Sequence, residues 1–90
     1  MAWQIELHPS AEKELQRLGR EPARRILTFL RGRLGERDDP RQIGEPLKGS
    51  KFDALWKYRV GDYRIIVDID DDALRILVVR IGNRRDVYKR

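Results

Sequence analysis

The sequence predicts one α+β domain in which a helical hairpin packs on one face of an antiparallel sheet. Apolar and polar side chains alternate near the N-terminus, apolar residues then recur at helical spacing, and alternation returns over three runs in the second half of the chain. The predicted element order is therefore β-α-α-β-β-β. Ninety residues leave room for a single domain, which we take to span residues 1–90.

The first half of the chain predicts one strand and two helices. Residues 3–8 alternate between apolar and polar side chains, and Pro9 ends this half-buried strand. Ser10 is the expected N-cap of the first helix, Gly19 suits its C-terminal end, and Pro22 fits the first turn of the second. The apolar stripes of the helices are Ala11, Leu15 and Leu18, then Ile26, Leu27, Leu30 and Leu34. The polar positions of the second helix include Arg24, Arg25, Arg31 and Arg33, which we interpret as a solvated face.

The second half predicts a loop followed by three strands. Gly, Pro and acidic residues dominate residues 35–49, which is typical of a connection. The β-like runs cover residues 54–60, 63–69 and 74–81. The last run is apolar at both sets of alternate positions, which indicates an interior strand buried on both faces and leaves its register open.

A two-residue turn at Gly61-Asp62 sets the register of the next hairpin. This register makes one face wholly apolar and places it on the helices. On the other face Arg59 lies opposite Arg64, beside Lys57, although like charges in this position destabilise a sheet by up to roughly 1 kcal/mol. The arrangement favours an anion-binding face. The alternative is that the two guanidiniums extend into water or pair with Asp62 or Asp68.

The charge and composition of the chain limit the classes of function that we expect. Twenty basic side chains against fifteen acidic ones give a net charge of +5, and residues 73–90 alone contain six basic residues and one acidic residue. Such a basic end suggests a polyanionic partner, with a solvated basic tail as the alternative. The chain has no cysteine, no phosphate-binding glycine motif and one histidine, His8, which we expect at the surface. No metal ion or other cofactor is expected.

Two features that the sequence lacks indicate where in the cell the protein is located. No apolar run approaches the length of a membrane span, and no secretory signal is visible at the N-terminus. We therefore expect a soluble, cytoplasmic protein that does not bind a membrane.

The remaining chemistry is that of lysine, arginine and tyrosine around one sheet face. Gly82 allows a sharp bend through which Arg84 and Tyr88 could fold back toward this face. Cations there can neutralise a phosphate and stabilise the charge of a phosphoryl transition state. RNA cleavage needs no metal when the ribose 2′-hydroxyl attacks the adjacent phosphate, and clustered cations lower the pKa of a proton-transferring lysine or tyrosine.

The chain resembles the RelE branch of the RelE/ParE toxin superfamily over essentially its whole length. The segments that carry the resemblance are residues 46–49, 55–65 and 82–88, with the sequences PLKG, LWKYRVGDYRI and GNRRDVY. The resemblance implies the toxin of a type II toxin–antitoxin system, a hydrolase that inhibits translation by cleaving mRNA in the ribosomal A site. It also implies a cognate antitoxin, and toxin and antitoxin commonly form a heterotetramer in the family.

The resemblance also implies roles for individual residues. Lys57 and Arg59 would act near the 2′-hydroxyl and the phosphate, Arg64 on the transition state, Arg84 near the leaving oxygen, and Tyr88 in base stacking and proton transfer. RNA contacts are expected from Lys48, Lys51, Arg85 and Lys89. Two positions depart from relatives: Arg59 replaces a lysine, which retains the charge but not a proton shuttle, and Asn83 replaces a histidine.

Two other functions remain open for this fold. ParE-like relatives inhibit DNA gyrase by binding and cleave no RNA, and an inactive remnant would only bind its antitoxin. Arg64, Arg84 and Tyr88 favour the ribonuclease, because a gyrase binder has no need of this set.

Overall fold

The computed structural model describes residues 2–47 and 55–83. Their elements are β1 (Gln4–Leu7), α1 (Pro9–Arg17), α2 (Arg20–Thr28), a π-helical segment (Phe29–Leu34), a 3-10 helix (Pro40–Ile43), β2 (Glu45–Pro46), β3 (Leu55–Val60), β4 (Tyr63–Asp70) and β5 (Arg75–Asn83). Within these ranges, none of the helices is both long enough and apolar enough to cross a lipid bilayer.

The five strands form one sheet in the order β1-β5-β4-β3-β2, with the helices packed on one face. The predicted α+β class is therefore confirmed, and the predicted order β-α-α-β-β-β holds except for the additional two-residue strand β2. The sheet is mixed rather than wholly antiparallel, because β1 pairs in parallel with β5. This direction lets the chain leave β1 at Leu7, opposite Val78, and continue as α1 along the same edge of β5.

The boundaries of α1 differ from the prediction by two residues at its N-terminus and by one at its C-terminus. His8, not Ser10, is the N-cap of α1: its Nδ1 accepts a hydrogen bond from the Ser10 backbone N–H at 3.2 Å. Pro9 can occupy the first helical position because that position needs no N–H donor. Leu18 is the C-cap, and Gly19, with φ of +94°, makes the break between the two helices.

The segment after α2 widens into a π-helix around its buried leucines. Gly35 donates its backbone N–H to the Leu30 carbonyl five residues earlier at 2.8 Å. Ile26, Leu30 and Leu34 are all fully buried, so the apolar stripe predicted for the second helix is confirmed at these positions.

The β3–β4 hairpin has the predicted register. Val60 lies opposite Tyr63, Tyr58 opposite Ile65, and Arg59 opposite Arg64. The apolar face joins the main core, whose fully or nearly buried members are Trp3, Ala11, Leu15, Ile26, Leu30, Leu34, Tyr58, Ile65, Val67, Ile69, Ile76, Val78 and Ile81. The opposite face carries the cationic side chains of the hairpin.

Strand β5 is interior, as predicted, but it is fully buried on one face only. An irregularity in its pairing with β4 falls between Ile66 and Val67, whose partners are Arg80 and Val78. Because the bulge adds one residue, Ile76, Val78 and Ile81 all point into the core. Leu77 and Val79 are only half-buried, so the expected burial of both faces is wrong.

The region predicted as a loop contains the 3-10 helix and β2, and it is attached to the core at two points. The Tyr58 hydroxyl donates a hydrogen bond to the Pro40 carbonyl at 2.7 Å, and Trp3 Nε1 donates to the Arg37 carbonyl at 3.0 Å. Gly44 packs so closely on the Tyr58 ring that a Cβ would lie 2.6 Å from Cε1. These contacts place β2 at the edge of the sheet beside β3.

Arg41 of the 3-10 helix also ties this region to the β4–β5 turn. Its guanidinium donates to both oxygens of the Asp71 carboxylate, at 3.0 and 2.8 Å. The hydrogen bond from Arg41 lowers the pKa of Asp71 and raises that of Arg41. The same guanidinium lies 5.9 Å from the centre of the Trp56 ring.

Candidate active site

Three of the predicted catalytic residues lie together on the sheet face that points away from the helices. Lys57 and Arg59 are two residues apart on β3 and therefore project to the same side, and Arg64 of β4 is the cross-strand partner of Arg59. With Ile43, Glu45 and Tyr58, these three side chains line a cleft of about 160 Å³.

The Arg64 guanidinium is the most informative group in the cleft. Its Nη1 atom is buried and has no hydrogen-bond partner in the part of the chain that the structure describes. A buried donor on a charged group costs free energy when it has no acceptor. An anion in the cleft would supply that acceptor.

The predicted alternative of local ion pairs is not observed. Within residues 2–47 and 55–83, neither Arg59 nor Arg64 has a carboxylate within 4.0 Å, so Asp62 and Asp68 neutralise neither guanidinium. Arg59 is exposed and Arg64 is half-buried. Two adjacent positive charges thus face the cleft, and residues 2–47 and 55–83 place no carboxylate within ion-pair distance of either.

Glu45 is the functional candidate that sequence reasoning missed. Strand β2 places it opposite Lys57, with Oε1 3.7 Å from Lys57 Nζ, and the side chain of Glu45 remains 76% exposed. A two-residue strand has no periodicity that a sequence pattern could reveal. The available signal was its position in a Glu-Pro pair, since proline is tolerated in edge strands.

The end of β5 reaches the same part of the sheet. Gly82 lies opposite Arg64, and Asn83 lies opposite Tyr63. The other predicted site residues, Arg84, Tyr88, Lys48, Lys51, Arg85 and Lys89, lie outside the described residues and stay predictions.

A second, larger cleft is lined mainly by carboxylates, with Arg75 as its one cation among the described residues. It measures about 320 Å³ and lies at the β4–β5 turn, where its lining includes Asp68, Asp70, Asp71 and Asp72. Phosphate would be repelled there. Residues 2–47 and 55–83 also contain no group of three or more His, Cys, Asp or Glu side chains that could bind a metal ion.

The cleft lined by Lys57, Arg59 and Arg64 therefore offers three cations and one exposed carboxylate, and one of the cations, Arg64, has a buried donor atom. The cations can bind a phosphodiester and offset the charge that accumulates on it during displacement. The carboxylate can accept a proton. These are the elements of metal-independent phosphodiester chemistry.

Comparison with known proteins agrees with this fold. The family model described as the ParE toxin of the type II toxin–antitoxin system parDE matches residues 5–88. Toxin RelE of Mycobacterium tuberculosis is 30% identical over 87 residues, which cover 97% of this chain and 87% of that toxin. Toxin RelG of the same organism is 26% identical over the full length of both chains.

Solved structures share the architecture. The toxin–antitoxin complex RelBE2 of M. tuberculosis contains a chain that matches with a TM-score of 0.84 at 23% identity, over 96% of this chain and 95% of that one. A chain of the archaeal RelE–RelB complex from Pyrococcus horikoshii matches with a TM-score of 0.71 at 28% identity, over 96% and 99%. The fold and the family match define a toxin of a type II toxin–antitoxin system, and the chain belongs to the ParE toxin family. Within the RelE/ParE superfamily it is a RelE-type toxin.

Proposed function

We propose that this toxin is a ribosome-dependent mRNA endonuclease that cleaves the message in the A site. The single observation that carries the proposal concerns Arg64, in a cleft shared with Lys57 and Arg59: its Nη1 atom is buried and has no hydrogen-bond partner among the described residues. A sheet that buries a guanidinium donor beside a second guanidinium is complementary to a phosphate, and the charge that develops in a phosphoryl transition state increases that complementarity.

The reaction we propose is an internal transesterification. The ribose 2′-oxygen attacks the adjacent phosphorus, its proton passes to the Glu45 carboxylate, and the bond from phosphorus to the 5′-oxygen breaks. The leaving 5′-oxygen takes a proton from Tyr88, in the role that the resemblance gives this residue. The products are a 2′,3′-cyclic phosphate and a 5′-hydroxyl, with no cofactor.

The cations of the cleft have separate tasks in this scheme. Arg64 donates to the phosphoryl oxygens, while Lys57 and Arg59 offset their charge. Arg59 carries no proton, because a guanidinium does not deprotonate in proteins. Arg84 stabilises the leaving oxygen.

We propose that the ribosome supplies the geometry of attack. Of the four charged side chains that line the described part of the cleft, one is a carboxylate that can accept a proton and three are cations. Catalysis with so few groups depends on a substrate held with its 2′-oxygen in line with the leaving group. Free RNA is then a poor substrate, and a message held in the A site is a good one.

We also propose a cognate antitoxin as the cytoplasmic partner. The matched P. horikoshii structure is a RelE–RelB complex, and the matched M. tuberculosis structure is a toxin–antitoxin complex. An antitoxin that binds this basic chain would neutralise it, with a heterotetramer as the proposed assembly.

The test is to induce the chain in a bacterial host and map new mRNA 5′ ends against the reading frame. Arg64→Ala is the site variant, and Arg33→Ala is the matched control, because it removes an exposed arginine from the π-helical segment instead of the cleft. We expect codon-registered cuts confined to translated regions for the wild type and the control. Uncut message in arrested cells would contradict the proposal.

Gyrase inhibition is the second candidate function, because the matching family model is that of the ParE toxin. It predicts growth arrest with intact mRNA and a loss of supercoiling activity when the purified chain is added to gyrase. Absence of both arrest and cleavage would instead support a domain that only binds its antitoxin.

A further inference from the structure

The exposed face of α2 and the π-helical segment is strongly basic. Glu21 is the acidic residue among residues 20–34, and the exposed arginines there are Arg20, Arg24, Arg25, Arg31 and Arg33. From the sequence, Arg24, Arg25, Arg31 and Arg33 are expected to lie on one solvated face and to be equivalent. Their surroundings in the fold are not equivalent.

Arg24 and Arg25 are neighbours with different partners. Arg24 Nη2 donates to both oxygens of Glu21, at 2.9 and 3.1 Å, so its charge is locally balanced. Arg25 has no carboxylate within 4.0 Å among residues 2–47 and 55–83, and Asp62 in the nearby turn does not pair with it. Among the described residues, the charge of Arg25 is therefore not compensated by a carboxylate.

The Arg25 side chain reaches the tip of the β3–β4 hairpin. A Cβ added to Gly61 would lie 3.2 Å from Arg25 Nη2, so the guanidinium rests beside the turn. Gly61 has φ of +60°, a conformation that favours glycine, and the missing side chain leaves room for this approach.

The cleft begins a short distance from that tip. Val60 and Tyr63 form the first cross-strand pair after the turn, and Arg59 and Arg64 form the second. Two strand residues span roughly 7 Å. Three guanidiniums that have no carboxylate within 4.0 Å in the described part of the chain therefore lie at one end of the sheet, Arg25 at the hairpin tip and the other two on the open face.

We propose that Arg25 and the β3–β4 turn form a second phosphate-binding position for the RNA strand whose scissile phosphate binds at Arg64. The inference rests on the proposed function, since it places a flanking nucleotide of the same message. A single strand that leaves the cleft past the hairpin tip brings its next phosphates to Arg25. The ligand is the phosphodiester backbone, so the contact is independent of base sequence.

Binding to a short, fluorescein-labelled, fully 2′-O-methylated RNA tests this position without cleavage. Its affinity is measured by anisotropy over a salt titration for the wild type, Arg25→Gln and Arg24→Gln. Both variants lose one positive charge, so they separate a local contact from an effect of net charge.

We expect Arg25→Gln to weaken binding several-fold and to reduce the slope of log K against log salt by about 0.7, the value for one lost phosphate contact on a single strand. Arg24→Gln should keep the wild-type slope, because the Arg24 guanidinium is hydrogen-bonded to Glu21 and makes no phosphate contact in this proposal. Equal losses in the two variants, or no loss in Arg25→Gln, would overturn the proposal.

Ribosome-dependent cleavage separates this inference from the proposed function. Arg25→Gln should raise the ribosome concentration needed for half-maximal cleavage and leave the rate at saturation unchanged. A wild type that cleaves no message refutes the nuclease, whatever the RNA-binding result. If the wild type cleaves the message but Arg25→Gln and Arg24→Gln behave alike in both assays, only the phosphate-binding position at Arg25 is refuted.

Discussion

Arg59 and Arg64 lie directly opposite each other on β3 and β4, and the described chain places no carboxylate within ion-pair distance of either. The repulsion between them and the buried, unpartnered Nη1 of Arg64 both oppose folding. Repulsion between cations and a donor without an acceptor are expected in an anion-binding site that has no anion bound. Stability and activity should therefore respond in opposite directions to substitution of Arg64.

Arg64→Leu should raise stability by about 1 kcal/mol, which corresponds to roughly 4–8 °C in Tm for a domain of this size. The same variant should lose cleavage of mRNA. Calorimetry of the purified chain measures the first effect, and mapping of 5′ ends measures the second. Arg59→Leu is the control: it relieves the same repulsion but leaves Arg64 Nη1 unpartnered, so its gain in Tm should be smaller. A lower Tm in Arg64→Leu would mean that this side chain stabilises the sheet.

Glu45→Gln should separate RNA binding from RNA cleavage. Removing a negative charge 3.7 Å from Lys57 Nζ strengthens the attraction of the cleft for phosphate. Loss of the proton acceptor should slow cleavage by about 10²–10⁴-fold. Single-turnover cleavage on ribosomes and anisotropy with non-cleavable RNA measure the two effects. Cleavage at the wild-type rate would exclude Glu45 as the base.

Tyr58 should make the fold sensitive to alkaline pH. Burial raises the pKa of its phenol from 10.0 to about 12, so the folded chain retains a proton that the unfolded chain loses near pH 10. The stability present below pH 10 is therefore lost as the pH rises toward 12, by about 2–3 kcal/mol. Urea unfolding of wild type and Tyr58→Phe across this range measures the difference.

The Tyr58→Phe variant is informative at neutral pH as well. It should lose about 1–2 kcal/mol, because the Pro40 carbonyl loses its donor. Its stability should then fall less steeply than that of the wild type above pH 10. Parallel alkaline curves for the two proteins would show that Tyr58 titrates without coupling to folding.

Glu14 should be the most important surface carboxylate for stability in α1. Beyond Val78, the last partner of β1, the edge of β5 has α1 as its neighbour. Glu14 accepts a hydrogen bond from the Ile81 backbone N–H at 2.7 Å and another from Arg80 Nε at 3.1 Å. Glu14→Ala should cost about 1–3 kcal/mol, because a part-buried backbone donor is left without an acceptor.

The control for this prediction is Gln16→Ala, an exposed position of the same helix. It should change the free energy of unfolding by no more than about 0.5 kcal/mol. Urea unfolding with a common slope would measure both variants. Equal stability of Glu14→Ala and the control would mean that water replaces the carboxylate at no cost.

The hairpin and its cation pair were predictable from the sequence because their determinants are local. A two-residue turn fixes the register, and the period of two then decides which side chains share a face. Tyr58 on the core side and Arg59 opposite Arg64 on the other side follow from these rules alone. The buried stripe of Ile26, Leu30 and Leu34 follows in the same way from helical spacing.

The features of the fold that depend on contacts between distant segments were decided by the tertiary structure alone. The parallel pairing of β1 with β5 and the bulge in β5 arise from packing between segments that are far apart in the chain. No local sequence pattern predicts them. Folding also brings Glu45 close to Lys57 and places Arg25 beside Gly61. It leaves Arg64 Nη1 buried without a hydrogen-bond partner among the described residues. Residue types and periodicity thus determined the class of fold and its cationic face. The distances that turn this face into a candidate site exist only once the chain has folded, because they join residues that the sequence keeps apart.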